Sequence, residues 1–228
     1  MPLILQIETA TDFCSVALAS DGQTVALIND PVVRNHASGL LPAIHKLFEK
    51  ASLKIDNLDA VAVSKGPGSY TGLRIGVATA KGICFATGKP LIAVNTLESM
   101  ATWYSTLHPE NESLICPMID ARRMEVYTAL FSKNIETIEA TTALILDDSS
   151  FGKQLQQQSI VFIGNGAEKF EKLLIESRNA LFISDLNADA RGMNQLALDF
   201  FRDERFESLA YFEPFYLKDF YMPPKKSN

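Results

Sequence analysis

The sequence predicts an α/β protein of two lobes, each a mixed sheet flanked by helices. Its first 30 residues hold three short apolar strands in succession, and helices then alternate with strands up to about residue 105. From residue 114 three strands again precede a mixture of helix and strand. Hairpin-joined strands followed by helix–strand alternation give one mixed sheet per half, the arrangement of an actin-like (ribonuclease-H-like, or ASKHA) lobe. The N-terminal lobe is expected over residues 1–100 and a degenerate C-terminal lobe over 101–222. The Pro-Pro-Lys-Lys-Ser-Asn end, 223–228, reads as a disordered tail.

The strands over 3–8, 14–19 and 24–28 are short and apolar, and Asp21-Gly22 between the last two suits a tight hairpin. A helix over 38–51 places Leu40, Leu41, Ile44, Leu47 and Phe48 at helical spacing, with Pro42 tolerated near its first turn. A strand over 60–63, a helix over 71–86, a strand over 91–94 and a helix over 97–105 follow. The lobe boundary falls within 101–113, where the polar run HPENES reads as a loop rather than a linker. Strands are expected over 114–120, 125–131 and 135–138, and another ends at Ile163 after a short helix. Gly164-Asn165-Gly166 is a turn, 167–177 a helix, and 193–205 an amphipathic helix with Leu196, Leu198, Phe200 and Phe201 on its apolar side.

With 228 residues and 47% hydrophobic content, the chain can bury a sizeable core. No apolar run reaches the roughly 18 residues of a membrane span, since Lys81 interrupts the longest candidate. The opening MPLILQIETA has no basic region before its apolar run, so it reads as a first strand and not as a signal peptide. Cys14, Cys84 and Cys116 are odd in number and set among apolar residues, as buried reduced thiols of a cytoplasmic protein would be. The net charge of −6 lies entirely after residue 100: the first hundred residues balance eight basic against eight acidic side chains, the rest set 13 against 19. A nucleic-acid surface gathers Lys and Arg, and none gather here beyond Lys225-Lys226. Any RNA grip is therefore expected from a partner.

The stretch VAVSKGPGSYTGLRIG, 61–76, is an apolar strand that breaks into a glycine-rich turn and enters a helix. Gly66, Gly68 and Gly72 mark structural turn positions, and Ser69 or Thr71 can cap the helix. Its start could hold an anion or could be a tight turn with no ligand. The glycine spacing fits neither the dinucleotide fingerprint nor the Walker loop, where Pro90 stands in place of the metal-binding Ser or Thr. Other places for phosphate are Thr9 and Thr11 after the first strand, Asp120 and Arg122 after the sixth, and Gly164 and Gly166 at a helix start. Neither the 8–11 loop nor the 120–123 loop contains glycine, so tight binding of ATP by this chain alone is not expected. No histidine pair with metal-ligand spacing is present, and no Ser/His/Asp set has a recognisable spacing. No catalytic residue and no metal site is expected.

Two helices are apolar over more than one stripe. On 38–51, Leu41 and His45 broaden the face formed by Leu40, Ile44, Leu47 and Phe48, and on 71–86 nearly every side is apolar. A helix packed only on its own sheet shows a stripe about 100° wide. Either both helices are sandwiched inside the domain, or Leu41, Ile44, Phe48, Ile75 and Thr79 lie at a partner-facing surface.

Gly66-Pro67-Gly68-Ser69-Tyr70-Thr71-Gly72-Leu73-Arg74-Ile75-Gly76 resembles the signature of the TsaB (YeaZ) family. The likeness runs from Ile4-Leu5-Gln6-Ile7-Glu8-Thr9-Ala10 through His36-Ala37-Ser38-Gly39-Leu40-Leu41-Pro42, Val94-Asn95-Thr96-Leu97-Glu98, Ile119-Asp120-Ala121-Arg122-Arg123 and Gly164-Asn165-Gly166-Ala167 to Glu213-Pro214-Phe215-Tyr216-Leu217. It covers nearly the whole chain. The resemblance implies a cytoplasmic, non-catalytic scaffold subunit for N6-threonylcarbamoylation of the adenosine beside the anticodon of tRNA. It implies TsaD as the catalytic partner and TsaE as the ATPase, with ATP or ADP and a metal on those subunits and tRNA met through the complex. In that family the two broad helices join the subunit to a like or related partner, so a homodimer in isolation is a further expectation. Where TsaD carries two histidines four apart, this chain has Thr96 and Met100, leaving only Glu98. The competing expectation is a stand-alone actin-fold enzyme, either a small-molecule kinase or a glycoprotease-like peptidase.

Overall fold

The computed structural model describes residues 1–30, 36–174 and 177–218. The tail expected over 223–228 lies outside them. The first sheet is built from β1 (Leu3–Glu8), β2 (Cys14–Ser20), β3 (Gln23–Asp30), β4 (Ala60–Gly66) and β5 (Leu91–Asn95), in spatial order β3-β2-β1-β4-β5. The β1–β2–β3 pairings are antiparallel and β1–β4–β5 parallel. Asp21 and Gly22 turn β2 into β3 with left-handed φ of 50° and 77°, the geometry two-residue hairpins favour.

Helix α1 (His36–Ala51) and helix α2 (Tyr70–Thr87) cover one face of this sheet. Leu3, Leu5, Ile7, Val61 and Val63 point into that layer with Leu40, Ile44, Leu47, Val77 and Ile83. Ile4 on β1, Ala62 on β4 and Ile92 and Val94 on β5 point the other way, against a 3-10 turn (Ala190–Met193) and α6 (Asn194–Arg202). Every residue of β1 is buried as a result.

The second sheet repeats the topology with β6 (Leu114–Asp120), β7 (Glu125–Phe131), β8 (Thr137–Ile145), β9 (Ile160–Ile163) and β10 (Ala180–Ile183), in order β10-β9-β6-β7-β8. Helices α4 (Gly152–Gln157) and α5 (Ala167–Glu171) cover one face, where Phe151, Phe162 and Phe170 meet edge-on or tilted. The other face packs on α3 (Thr96–Leu107) through Leu97, Met100, Ala101 and Tyr104. The chain is thus two actin-like lobes, each a five-stranded mixed sheet flanked by helices.

Several boundaries differ from expectation for physical reasons. Ile135 has φ 64° and belongs to the turn before β8, so that strand begins at Thr137 and runs to Ile145. Its side chains are mostly exposed on both faces, and the sequence therefore carries no alternation. Helix α5 ends at Glu171, and 175–176 lie outside the described residues; β10 was not anticipated. The division at residue 100 also needs correction. Ala190, Met193 and Ala197 pack on the first sheet, so part of the segment assigned to the second lobe completes the first. Beyond α6, Glu207 pairs with Leu91 at the β5 edge, Leu209 and Phe212 cover the first core, and the Phe215 amide donates to the Lys65 carbonyl (2.7 Å).

Candidate functional site

The glycine-rich turn at the start of α2 is filled from within the chain. Gly66 has φ 111°, and a Cβ there would meet the Phe215 carbonyl at 2.8 Å. A Cβ on Gly68 would lie closer than 3.0 Å to the Ala10 carbonyl oxygen, and one on Gly72 closer than 3.0 Å to that of Thr9. These glycines let the end of β1 rest directly on the turn. The Ser69 amide donates to the Ala10 carbonyl (2.6 Å), and the Ser69 hydroxyl accepts from the Gly72 amide (3.3 Å) as the helix N-cap. Thr9 is buried and gives its hydroxyl proton to the Gly72 carbonyl (2.9 Å); Thr11 is buried as well. Two of the amides that would cradle an anion, those of Ser69 and Gly72, are engaged, and the two threonines expected around phosphate are buried.

In the second lobe, Asp120, Arg122, Gly164 and Gly166 come together at the ends of β6 and β9. The Asp120 amide donates to Asn165 Oδ1 (2.9 Å), and its carboxylate accepts from the Arg122 amide and pairs with Lys169, both at 2.5 Å. A Cβ on Gly164 would stand 2.6 Å from the Met118 carbonyl, and one on Gly166 3.0 Å from Met118. Both glycines are buried packing positions. Arg122 and Arg123 are exposed in the β6–β7 turn with left-handed φ of 68° and 49°. Of the six residues expected around a nucleotide, only Asp120 and Arg122 reach the surface. Glu98 stands half-buried at the first turn of α3, raised above the usual carboxylate range by burial although Lys65 and Arg205 pull it down. Among the described residues no three His, Cys, Asp or Glu side chains group as metal ligands, and no helix is long and apolar enough to cross a membrane. Cys84 and Cys116 are buried, and burial pushes their thiols up to about 11 and about 12.

The helix surfaces sort differently from the sequence expectation. Ile44 (4% exposed) and Phe48 (8%) are core residues, because this side of α1 faces β2, β3 and α2. Ile75 is half-buried against the same core and Thr79 is half-buried. Leu41, at 60%, does face outward. The residue missed is Phe85, 86% exposed, on an outward stripe of α2 that includes Arg74, Ala78, Gly82 and Ala86. A Cβ on Gly82 would meet nothing within 4 Å. The seven- and eight-residue spacing from Ala78 to Phe85 and Ala86 carried the signal, but the continuous apolar run around it hid which side faced out.

Comparison with known proteins converges on one family. A family model described as TsaD, tRNA N6-adenosine threonylcarbamoyltransferase, matches residues 30–223. The tRNA threonylcarbamoyladenosine biosynthesis protein TsaB of Escherichia coli (strain K12) is 32% identical over 222 residues, covering 95% of this chain and 94% of that protein. A Pseudomonas aeruginosa crystal structure, described as an uncharacterized protein with similarity to peptidase YEAZ, superposes with TM-score 0.81 and 27% identity over 96% of this chain and 100% of the other. The fold alone extends to the activator of 2-hydroxyisocaproyl-CoA dehydratase from Clostridium difficile, with TM-score 0.53 and 11% identity over 89% of this chain and 96% of that one.

Proposed function

This chain belongs to the TsaB family of tRNA threonylcarbamoyladenosine biosynthesis proteins, and we propose that it is the non-catalytic partner subunit for N6-threonylcarbamoylation of the adenosine next to the anticodon. TsaD is its catalytic partner and TsaE the ATPase of the assembly, which works in the cytoplasm. The metal and ATP or ADP belong to those subunits, and tRNA is met through the complex. The observation that supports this reading best is the outward stripe of α2, where Phe85 projects beside Ala78, Gly82 and Ala86. Small residues let a second helix approach closely, and a large exposed aromatic supplies an anchor for it. Occupied loops at the start of α2 and the Asp120–Lys169 pair fit a subunit that leaves phosphate chemistry to others. Where a nucleotide touches this chain, it does so at a subunit junction and through Arg122.

Reconstitution tests the proposal. Purified TsaD and TsaE with ATP, substrates and unmodified tRNA should form the modified nucleoside, read by mass spectrometry, only when this chain is added. The chain alone should neither modify tRNA nor hydrolyse ATP. Phe85→Glu should abolish co-purification with TsaD and the modification together. Full modification without this chain, or ATP turnover by it alone, would sink the scaffold reading.

A further inference from the structure

Buried polar atoms without a partner collect between β1 and α3. Gln6 lies on β1 between Ala17 and Ala62, facing the layer that contains Ala190 and Met193. Glu8 is two residues further along the same face. From the other lobe's side, Thr96 and Ser99 stand one turn apart on the buried side of α3. Both polar atoms of the Gln6 amide, Glu8 Oε2, Thr96 Oγ1 and Ser99 Oγ are buried with no hydrogen-bond partner.

The 3-10 turn Ala190–Met193 packs against β1, β2 and α3 together. At Gly192 it comes so close to α3 that a Cβ would stand 2.6 Å from Ser99 Oγ. The polar groups that the turn brings are already committed. The Ala190 amide donates to Ser15 Oγ (2.9 Å), and Asp189 accepts from Asn29 Nδ2 (2.9 Å) and from the amide and guanidinium of Arg191. These committed groups are not offered to the unpartnered atoms of Gln6, Glu8, Thr96 and Ser99, which water would satisfy. A buried polar group with no partner favours hydration.

We propose that this 3-10 turn is a releasable clasp between the lobes, which lifts to hydrate Gln6, Glu8, Thr96 and Ser99. Glu8 makes the clasp sensitive to protons. The charged group that acts on it is Asp189 at the start of the turn, itself paired with Arg191; Ser15 on β2 stands opposite Glu8, and the Ser64 hydroxyl on β4 bonds to it. Burial raises Glu8 from 4.5 to about 7, against the pull of the Ala10 amide and the Ser64 hydroxyl, with Asp189 adding to the rise. Hydration in the open form returns the carboxyl towards its ordinary value. The closed clasp thus binds a proton more tightly than the open one, and opening grows as pH rises from 4.5 to 7 and levels off above. The shift sets a ceiling of about 300-fold on that growth.

Hydrogen exchange read by mass spectrometry on the full chain between pH 5 and pH 8, corrected for intrinsic chemical exchange, tests this. Protection over 190–198 and 96–101 should fall by about tenfold or more with rising pH, while the second-sheet strand 160–163, which opens only with the whole fold, stays the better protected at every pH. Glu8→Gln should flatten the profile. The pair Thr96→Val and Ser99→Ala, which removes two unpartnered hydroxyls, should raise protection over 190–198 several-fold at every pH. A flat wild-type profile, an undiminished slope in Glu8→Gln, or reduced protection in the double variant would each overturn the clasp. Should Glu8→Gln fail to fold, the wild-type profile and the double variant still decide the matter.

Discussion

A methyl group at Gly72 would fall against the Thr9 carbonyl, whereas one at Gly82 would meet nothing. Gly72→Ala should therefore cost about 2 kcal/mol or more through overpacking, and Gly82→Ala should add up to about 1 kcal/mol through helix propensity. Urea melts of the two variants, run side by side, check both signs. Arg122 and Arg123 give a second residue-scale test. Left-handed φ costs a non-glycine residue about 1–2 kcal/mol, so replacing the pair with Asn-Gly should stabilise the fold by about 1 kcal/mol. If these arginines serve the assembly, the more stable variant should also support less tRNA modification. Glu8 sets the sign of a pH effect: its folded pKa of about 7 lies above the ordinary 4.5. Stability is thus highest below 4.5 as far as this group is concerned, and is lost as pH rises to 7, by at most about 3 kcal/mol. Glu8→Gln should remove that slope from denaturant midpoints taken across the window. The glycine pattern was legible in the sequence, but what faces each glycine was not. Thr9 lies 63 residues from Gly72, and no local pattern names a partner that far away.

The two helices of the first lobe show how far periodicity carries. It gives their existence and their buried residues, since Leu40, Ile44, Leu47, Val77 and Ile83 recur at core spacing. It does not say which side of an all-round apolar helix faces out. Ile44 and Phe48 were expected at a partner surface and lie instead beneath α1, where sheet and helix meet. Glutamate at Ile44 would bury an unpaired charge, so Ile44→Glu should unfold the protein. Phe85→Glu replaces a side chain 86% exposed and should leave the circular dichroism melt within about 0.5 kcal/mol of wild type. Light scattering then separates the roles: loss of association by folded Phe85→Glu places the interface on the outer stripe of α2. Retained association with both TsaD and itself would move it elsewhere. β8 is the opposite case, a strand held by pairing with β7 and exposed on both faces, so its backbone forms a ladder that its side chains do not announce.

At the scale of the molecule, the chain crosses between lobes twice. It leaves the first sheet through α3 and returns through the 3-10 turn, α6 and the segment 207–218. The return was not legible, because an amphipathic helix and the segment that follows it do not encode which sheet they cover. The last segment follows the outer edge of β5, where the Glu207 amide donates to the Leu91 carbonyl (2.8 Å). Further on, Lys81 Nζ donates to the Phe212 carbonyl (3.1 Å), the Tyr216 ring lies 4.9 Å from that of Tyr70, and Lys218 pairs with Glu125 on β7. This path explains why Gly66 must be glycine: the Phe215 carbonyl crosses directly above it. Leu209 and Phe212 are the apolar part of the strap, and each is half-buried against the first core. Partial burial of two such side chains contributes about 2–3 kcal/mol, while the Lys218–Glu125 pair, whose lysine is exposed, adds little. A chain ending at Phe206 should therefore melt about 4–12 °C below the full-length protein by calorimetry. It should also aggregate more readily, since its β5 edge is uncovered. Phe212→Ser, which keeps the backbone bonds, should show roughly half the loss and no added aggregation. Equal melting temperatures for the truncated and full-length chains would mean that the strap rests on the first lobe without stabilising it, and Gly66→Ala would then be tolerated once the strap is gone.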